Sequence, residues 1–249
     1  EKGFQEADVV IEETFRTTKQ KHCQLEFDAS IASFDANGRL TIFSQCQAPH
    51  LARKMLARIF DMPEGMVKLI SPHIGGGFGG KDTYGPLICA LAALGAVRSG
   101  KPAMIAYSRT ESFAYRFKRG EFEIRYKSGV TKDGKIKAIE VEFLVDAGAY
   151  ATWTIGFMQR AAYHATGPYE VPNVRVDGIA VYTNNPPNAA FNGFGNPQML
   201  FAVESQMDIL AEELNMDPVE FRLINALVPG SRTGTGQLLD HSVGIKAVS

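Results

Sequence analysis

The sequence lacks the residue clusters that mark a protein-ligated metal site or a disulfide scaffold. Its three cysteines, Cys23, Cys46 and Cys89, stand far apart. Without C-x-x-C spacing they encode neither a structural zinc site nor an iron–sulfur site. So sparse and odd a set fits a reducing compartment better than a disulfide scaffold. The histidines (His22, His50, His73, His164 and His241) show no metal-ligand spacing either. Charge of either sign is not in excess: 26 Lys and Arg face 27 Asp and Glu, for a net charge of −1. That removes the basic footprint of a nucleic-acid binder and the acidic composition of a solvating tail. The longest near-apolar run, Leu87 to Val97, is too short to span a bilayer. The chain opens at Glu1 with no charged n-region and no apolar signal core. The expectation is a cytoplasmic protein that partners neither membrane nor nucleic acid, either a piece of a longer chain or a processed subunit. Internal repeats, low-complexity tracts and Ser/Pro linkers are missing too, so no sharp domain boundary is marked.

What the sequence has in excess is glycine, 24 among 249 residues, roughly a tenth where ~7% is usual. The glycines gather in Gly75-Gly76-Gly77-Phe78-Gly79-Gly80-Lys81 and in Ala190-Phe191-Asn192-Gly193-Phe194-Gly195-Asn196-Pro197-Gln198.

Around these loops the pattern mixes strands and helices. Val9 to Thr17 alternates as a strand. Gln24 to Ser33 and Leu40 to Ser44 read as a hairpin about Asp35-Ala36-Asn37-Gly38. Pro49 suits the first turn of a helix whose face is Leu51, Met55, Leu56, Ile59 and Phe60. Met66 to Ile70 is a short buried strand leading into the first glycine loop. Pro86 to Arg98 is a buried helix and Ala103 to Tyr107 a strand. Glu121 to Val130 and Lys135 to Ala147 form a second hairpin about Lys132-Asp133-Gly134, and Trp153 to His164 is compatible with a helix. Val174 to Thr183 is a strand, and a long helix runs from about Gln198 to Leu214. Asp217-Pro218 caps a last helix. Without strict βαβ alternation the fold class is α+β, with two intimate subdomains dividing near residues 110–130.

Five glycines in six positions let a backbone reach positive φ and approach a ligand closely. A helix start beyond them favours an anion. As Gly75-x-Gly77-x-x-Gly80 the loop satisfies the dinucleotide fingerprint, but the acid required about 20 residues later is missing. As Gly75-x-x-x-x-Gly80-Lys81 it nearly satisfies a P-loop, but Asp82 stands where Ser or Thr would hold magnesium. A glycine-rich turn that merely permits tight packing is the plain alternative.

Taken together and in this order, the two segments resemble the GGGFGGK loop and the AFRGFG-x-PQ segment of the molybdenum hydroxylases, the xanthine dehydrogenase and aldehyde oxidase family. The resemblance runs the length of the chain and corresponds to the first half of that family's molybdopterin-binding region. It implies molybdopterin or its dinucleotide form with molybdenum, held by the pterin dithiolene with no protein metal ligand. It also implies partners: the remaining half of the region, subunits or domains carrying iron–sulfur clusters and FAD, and a small-molecule substrate. In that family the cofactor oxidises a C–H bond with water as the oxygen source. A glutamate serves as general base, and no segment here matches it.

Residue by residue, the resemblance assigns Gln45 to a glutamine whose amide bonds an oxygen ligand of the metal. It gives the backbone of Gly76, Gly77, Phe78 and Gly79, with Asn192 and Gly193, to the cofactor. Asp82 falls where purine-hydroxylating members direct a Glu at the heterocycle. Arg160 matches an arginine that stabilises negative charge on the substrate, and its apolar aromatic surroundings (Trp153, Phe157, Tyr163) predict a buried side chain in need of a partner. Phe194 matches a phenylalanine lining the substrate slot. Asn192 is a departure, since the family carries Arg there and Asn offers only neutral hydrogen bonds. Three readings stand: part of a hydroxylase oxidising an N-heterocycle or an aldehyde and inactive by itself, a phosphate- or nucleotide-binding enzyme, and a non-catalytic assembly fragment of the same fold.

Overall fold

The computed structural model describes residues 1–82, 85–241 and 243–245. Along the chain run α1 (Lys2–Gln5), β1 (Val9–Thr17), β2 (Ala29–Phe34), β3 (Leu40–Ser44), α2 (Pro49–Ile59), β4 (Val67–Ile70), α3 (Gly85–Ser99), β5 (Ala103–Ala106) and α4 (Arg109–Tyr115). There follow β6 (Phe122–Val130), β7 (Ile136–Gly148), α5 (Thr154–Tyr163), β8 (Asn173–Tyr182), α6 (Asn196–Glu213) and α7 (Pro218–Asn225). The strands form two four-stranded sheets, ordered β1-β6-β7-β8 and β4-β3-β2-β5. In each, one parallel pair (β7 with β8, β3 with β4) joins antiparallel neighbours. The fold is α+β.

Local chemistry sets most boundaries. Asp35 turns the β2–β3 hairpin by accepting the N–H groups of Asn37 and Arg39 through Oδ1, each at 2.9 Å, while Gly38 takes the left-handed φ of 78°. Pro49 and Pro218 open their helices at positions with no intrahelical acceptor to lose. Asp217 caps α7 by accepting from Val219 and Glu220. Helix α4, which periodicity did not reveal, is too short for a clear stripe; it is held by a capping box between Ser108 and Glu111.

Each sheet has its own core. Under the first, Phe122, Ile124, Tyr126, Val141 and Phe143 pack on Phe157 of α5 and on Met199, Val203, Met207 and Leu210 of α6. Under the second, Ala32, Leu40 and Ile42 meet Leu56 of α2 and Ile88, Ala92 and Ala93 of α3. Only one side of α3 is buried: Leu87, Leu91, Leu94 and Val97 are exposed, although a helix apolar on every face is ordinarily enclosed. Of the expected strand from Gln24 to Ser33, only the part from Ala29 joins the ladder. β1, from the start of the chain, pairs with β6, so chain segments on either side of residues 110–130 share one sheet. The connections crossing between the sheets, residues 18–28 and 107–121, meet in a bridge of Gln20 with Arg119. Both glycine loops lie on that junction.

Candidate functional site

The first loop leaves β4 and is stapled by side chains from residues 24–28, an extended segment whose polarity is inverted. Gln24 and Asp28 are buried while Leu25 and Phe27 stand exposed. Glu26 accepts the N–H of Gly75 at 2.7 Å and pairs with the buried Lys81, so one carboxylate closes both ends of the loop. Gln24 reaches the carbonyl of Gly77, and the N–H of Gly80 bonds the same carbonyl at 2.7 Å. Beneath the loop, Arg116 forks onto Asp28 and onto the carbonyl of Gly80, and Ser112 donates to the second oxygen of Asp28 at 2.6 Å. Breaking a buried pair of this kind by removing one partner costs about 3–5 kcal/mol.

The second loop repeats the backbone device of the first. Phe78 and Phe194 both occupy the left-handed region, with φ of 53° and 48°, and Gly79 and Gly195 follow them at 93° and 95°. Each phenylalanine is therefore held in a conformation that costs it about 1 kcal/mol or more. The loops touch: the N–H of Asn192 donates to the carbonyl of Phe78 at 3.1 Å. A Cβ on Gly79 would lie 2.5 Å from the carbonyl oxygen of Ala190, so only glycine allows this approach.

The structure distributes the expected site residues unevenly. Gln45 is half-buried and its Oε1 accepts the N–H of Ala29 at 3.2 Å, a bond that ties β3 to the start of β2. Gln47, two residues on, is the glutamine on the loop: its Oε1 accepts the N–H of Gly79 at 3.1 Å and its own N–H bonds the carbonyl of Lys81. Asp82 follows Lys81 directly and is half-buried. Phe194 is half-buried and wedged edge-on against Phe157 and Trp153, at centroid distances of 6.0 and 6.3 Å. Asn192 and Gly193 are exposed. Arg160 is exposed, not buried as its neighbours in sequence implied. The buried face of α5 is Thr154, Phe157 and Ala161, and Arg160 projects about a quarter-turn from it. The helix that carries Arg160 nevertheless also supports Phe194.

His22, Gln24, Glu26, Gln47, Arg116 and Arg119 were not singled out by the sequence. The available signal was the polar alternation Gln24-Glu26-Asp28, but alternation marks two faces without saying which is buried.

Electrostatics favour an anion here. Lys21, Lys81, Arg116 and Arg119 are all buried around the loops, against the carboxylates of Glu26, Asp28 and Asp82. Burial, reinforced by Arg116 and opposed by Asp28, lowers the Lys21 ammonium pKa to about 8. Burial would raise the Glu26 carboxyl, but Lys81 and backbone N–H groups hold it below its usual value. Among the described residues, the consecutive N–H groups of Gly76, Gly77 and Phe78 meet no acceptor. A run of free donors over a positive bed is an anion cradle. It suits a group carrying phosphate and anionic sulfur, so these residues fit a molybdenum-bearing pterin. Groups of His, Cys, Asp and Glu able to hold a bare metal ion do not occur among the described residues, and no described helix is long and apolar enough to cross a membrane.

Residues 1–226 match the family model described as the molybdopterin cofactor-binding domain. The chain is 41% identical over 244 residues to the nicotinate dehydrogenase large molybdopterin subunit of Eubacterium barkeri, covering 98% of this chain and 57% of that protein. It is 39% identical to a probable xanthine dehydrogenase subunit of Bacillus subtilis, over 92% of this chain and 30% of the relative. The aldehyde oxidoreductase of Desulfovibrio gigas superposes with a TM-score of 0.89 at 33% identity, over 99% of this chain and 27% of that one. The chain thus spans between about a quarter and somewhat over half of these relatives.

Proposed function

Because the chain belongs to the molybdopterin cofactor-binding domain family, we propose that its two glycine loops hold the pterin of a molybdenum hydroxylase whose activity needs further polypeptide. The observation that carries this is the row of free N–H groups at Gly76, Gly77 and Phe78, closed against the second loop at Asn192. When bound, the cofactor supplies the two-electron oxidation of a C–H bond with water as the oxygen source.

The chain's own residues bind and orient. The amide oxygen of Gln47 is engaged by Gly79, which leaves its NH₂ to donate to an oxygen on the cofactor. Gln45, committed to Ala29, anchors the end of β3, beyond which Gln47 projects from the bend before α2. Phe194, rigid against Phe157 and Trp153, offers an aromatic wall to a flat ring. Arg160 supplies a cation for negative charge on the substrate, and Asp82 an acceptor for a ring N–H. That pairing favours an N-heterocycle, such as a purine or a nicotinate-like ring, over a simple aldehyde; a nicotinate dehydrogenase subunit is among the chain's relatives. No general base is assigned within this chain. Electrons leave through iron–sulfur and flavin groups on partner subunits or domains, in the cytoplasm.

Nucleotide binding by a P-loop is disfavoured because Asp82 replaces the magnesium-holding hydroxyl. Steady-state assay of the full assembly tests the reading. Oxidation of an N-heterocycle with uptake of solvent oxygen supports it, and a molybdenum-loaded assembly that oxidises only aldehydes contradicts the substrate class. A non-catalytic fragment would leave the assembly without molybdenum.

A further inference from the structure

We propose that His22 and Arg119 are positioning residues that brace the second loop at Ala190 and Asn192, on either side of Phe191, and so set the distance between the two glycine loops. The inference rests on the reading that those loops share one ligand.

Arg119 is buried and bonds three separate segments, one through each guanidinium nitrogen. Nε donates to Gln20 Oε1 at 3.0 Å, Nη1 to Gln198 Oε1 at 3.1 Å, and Nη2 to the carbonyl of Asn192 at 3.1 Å. Gln198 answers by donating to the carbonyl of Gly120 at 3.1 Å. The connection ahead of the first loop, the first turn of α6 and the second loop are thereby tied to one planar group. The guanidinium also lies over the Phe191 ring, 4.3 Å from its centroid. Its hydrogen-bond acceptors are neutral oxygens, so its charge remains available under the loop where Asn192 supplies none.

His22 contacts the same ring, with centroids 4.4 Å apart. Its Nε2 lies 2.7 Å from the carbonyl oxygen of Ala190; a carbonyl only accepts, so Nε2 carries the proton. Its ring fills the space beside Gly80, where a Cβ would come within 2.7 Å of Cγ. The carbonyl that His22 holds is the one that fills the space beside Gly79. The contacts therefore close a circuit: Gly80 to His22, His22 to Ala190, Ala190 to Gly79, and Asn192 back to Phe78. Moving either brace displaces Ala190 and Asn192, and with them the register of both loops. Lysine at 119 keeps the charge but has neither the fork nor the plane.

The test is amide hydrogen exchange on the full-length protein in its natural assembly, read at Gly79, Gly80 and Asn192, whose N–H groups are bonded. Arg119→Lys and His22→Leu are expected to speed exchange at all three by about tenfold, with β6 and β7 unchanged and molybdenum lost on dialysis. His22→Gln, which restores a donor toward Ala190, returns exchange and molybdenum retention close to wild type. Faster exchange at Asn192 alone, with Gly79 and Gly80 unmoved, would overturn the coupling; so would His22→Gln behaving as His22→Leu. If Arg119→Ala does not fold, Arg119→Lys decides. A wild type without molybdenum whose exchange follows the expected pattern would support the brace while contradicting the proposed function.

Discussion

The N–H of Asn192 donates to the carbonyl of Phe78 at 3.1 Å, joining two Gly-Phe-Gly turns that belong to distant parts of the chain. Each turn strains one phenylalanine into left-handed backbone, and each also carries its own closing bond, Gly80 to Gly77 and Phe194 to Phe191. That contact makes the pair a single cradle.

The closeness of the loops depends on glycine at 79. Gly79→Ala puts a Cβ 2.5 Å from the Ala190 oxygen at a φ of 93°, and is expected to destabilise the protein by about 2–4 kcal/mol. Gly65→Ala, with nothing within 4 Å and an ordinary φ, is the control and is expected to change stability by less than about 0.5 kcal/mol. Urea unfolding midpoints compare the two.

The two glutamines separate in the same way. Gln47→Ala removes the partner of the Gly79 N–H and is expected to lower turnover of the assembled enzyme by about tenfold or more. Gln45→Ala loses its bond to Ala29, costs about 1 kcal/mol of stability and leaves turnover near wild type. Equal effects of the two on kcat would contradict the division of roles.

Asn192 is exposed and its backbone makes the inter-loop bond. Asn192→Arg therefore needs no repacking. It is expected to leave the unfolding midpoint unchanged while slowing loss of molybdenum during dialysis, since a charged fork is added beside the cradle. Metal content before and after dialysis reads this directly.

Burial, joined by Lys21, Arg116 and Arg119 and opposed by the bond to Ala190, lowers the His22 pKa to about 4 from 6.5. The unfolded chain then takes up the proton first. The stability tied to a neutral His22 is complete above about pH 6.5, declines as pH falls toward 4, and declines no further below that. Its full size is about 3 kcal/mol. His22→Gln is expected to flatten that part of the stability–pH curve between pH 4 and 6.5.

Much of this architecture was legible in the sequence because it follows from local chemistry. The Asp35–Gly38 turn, the Pro49 and Pro218 helix starts and the alternation of Val9 to Thr17 appear where pattern and turn residues put them. The two glycine loops, widely separated along the chain, were paired by resemblance, and the structure joins them. What stayed hidden is decided by tertiary packing. Arg160 sits among aromatic residues in sequence, yet a quarter-turn of α5 brings it into solvent. Gln24 and Asp28 turn inward while Leu25 and Phe27 turn outward, a choice that period-two alternation leaves open. Gln45 and Gln47 are alike on paper, and the fold separates them by burial and by the backbone N–H each reaches.

The most direct test of the central claim is molybdenum and pterin analysis of the purified full-length protein, produced in cells that load a known molybdenum hydroxylase. The account predicts close to one molybdenum and one pterin for each copy of this chain, with both reduced in Gly79→Ala. A protein folded like the wild type but free of both, from cells whose control enzyme is loaded, would contradict it.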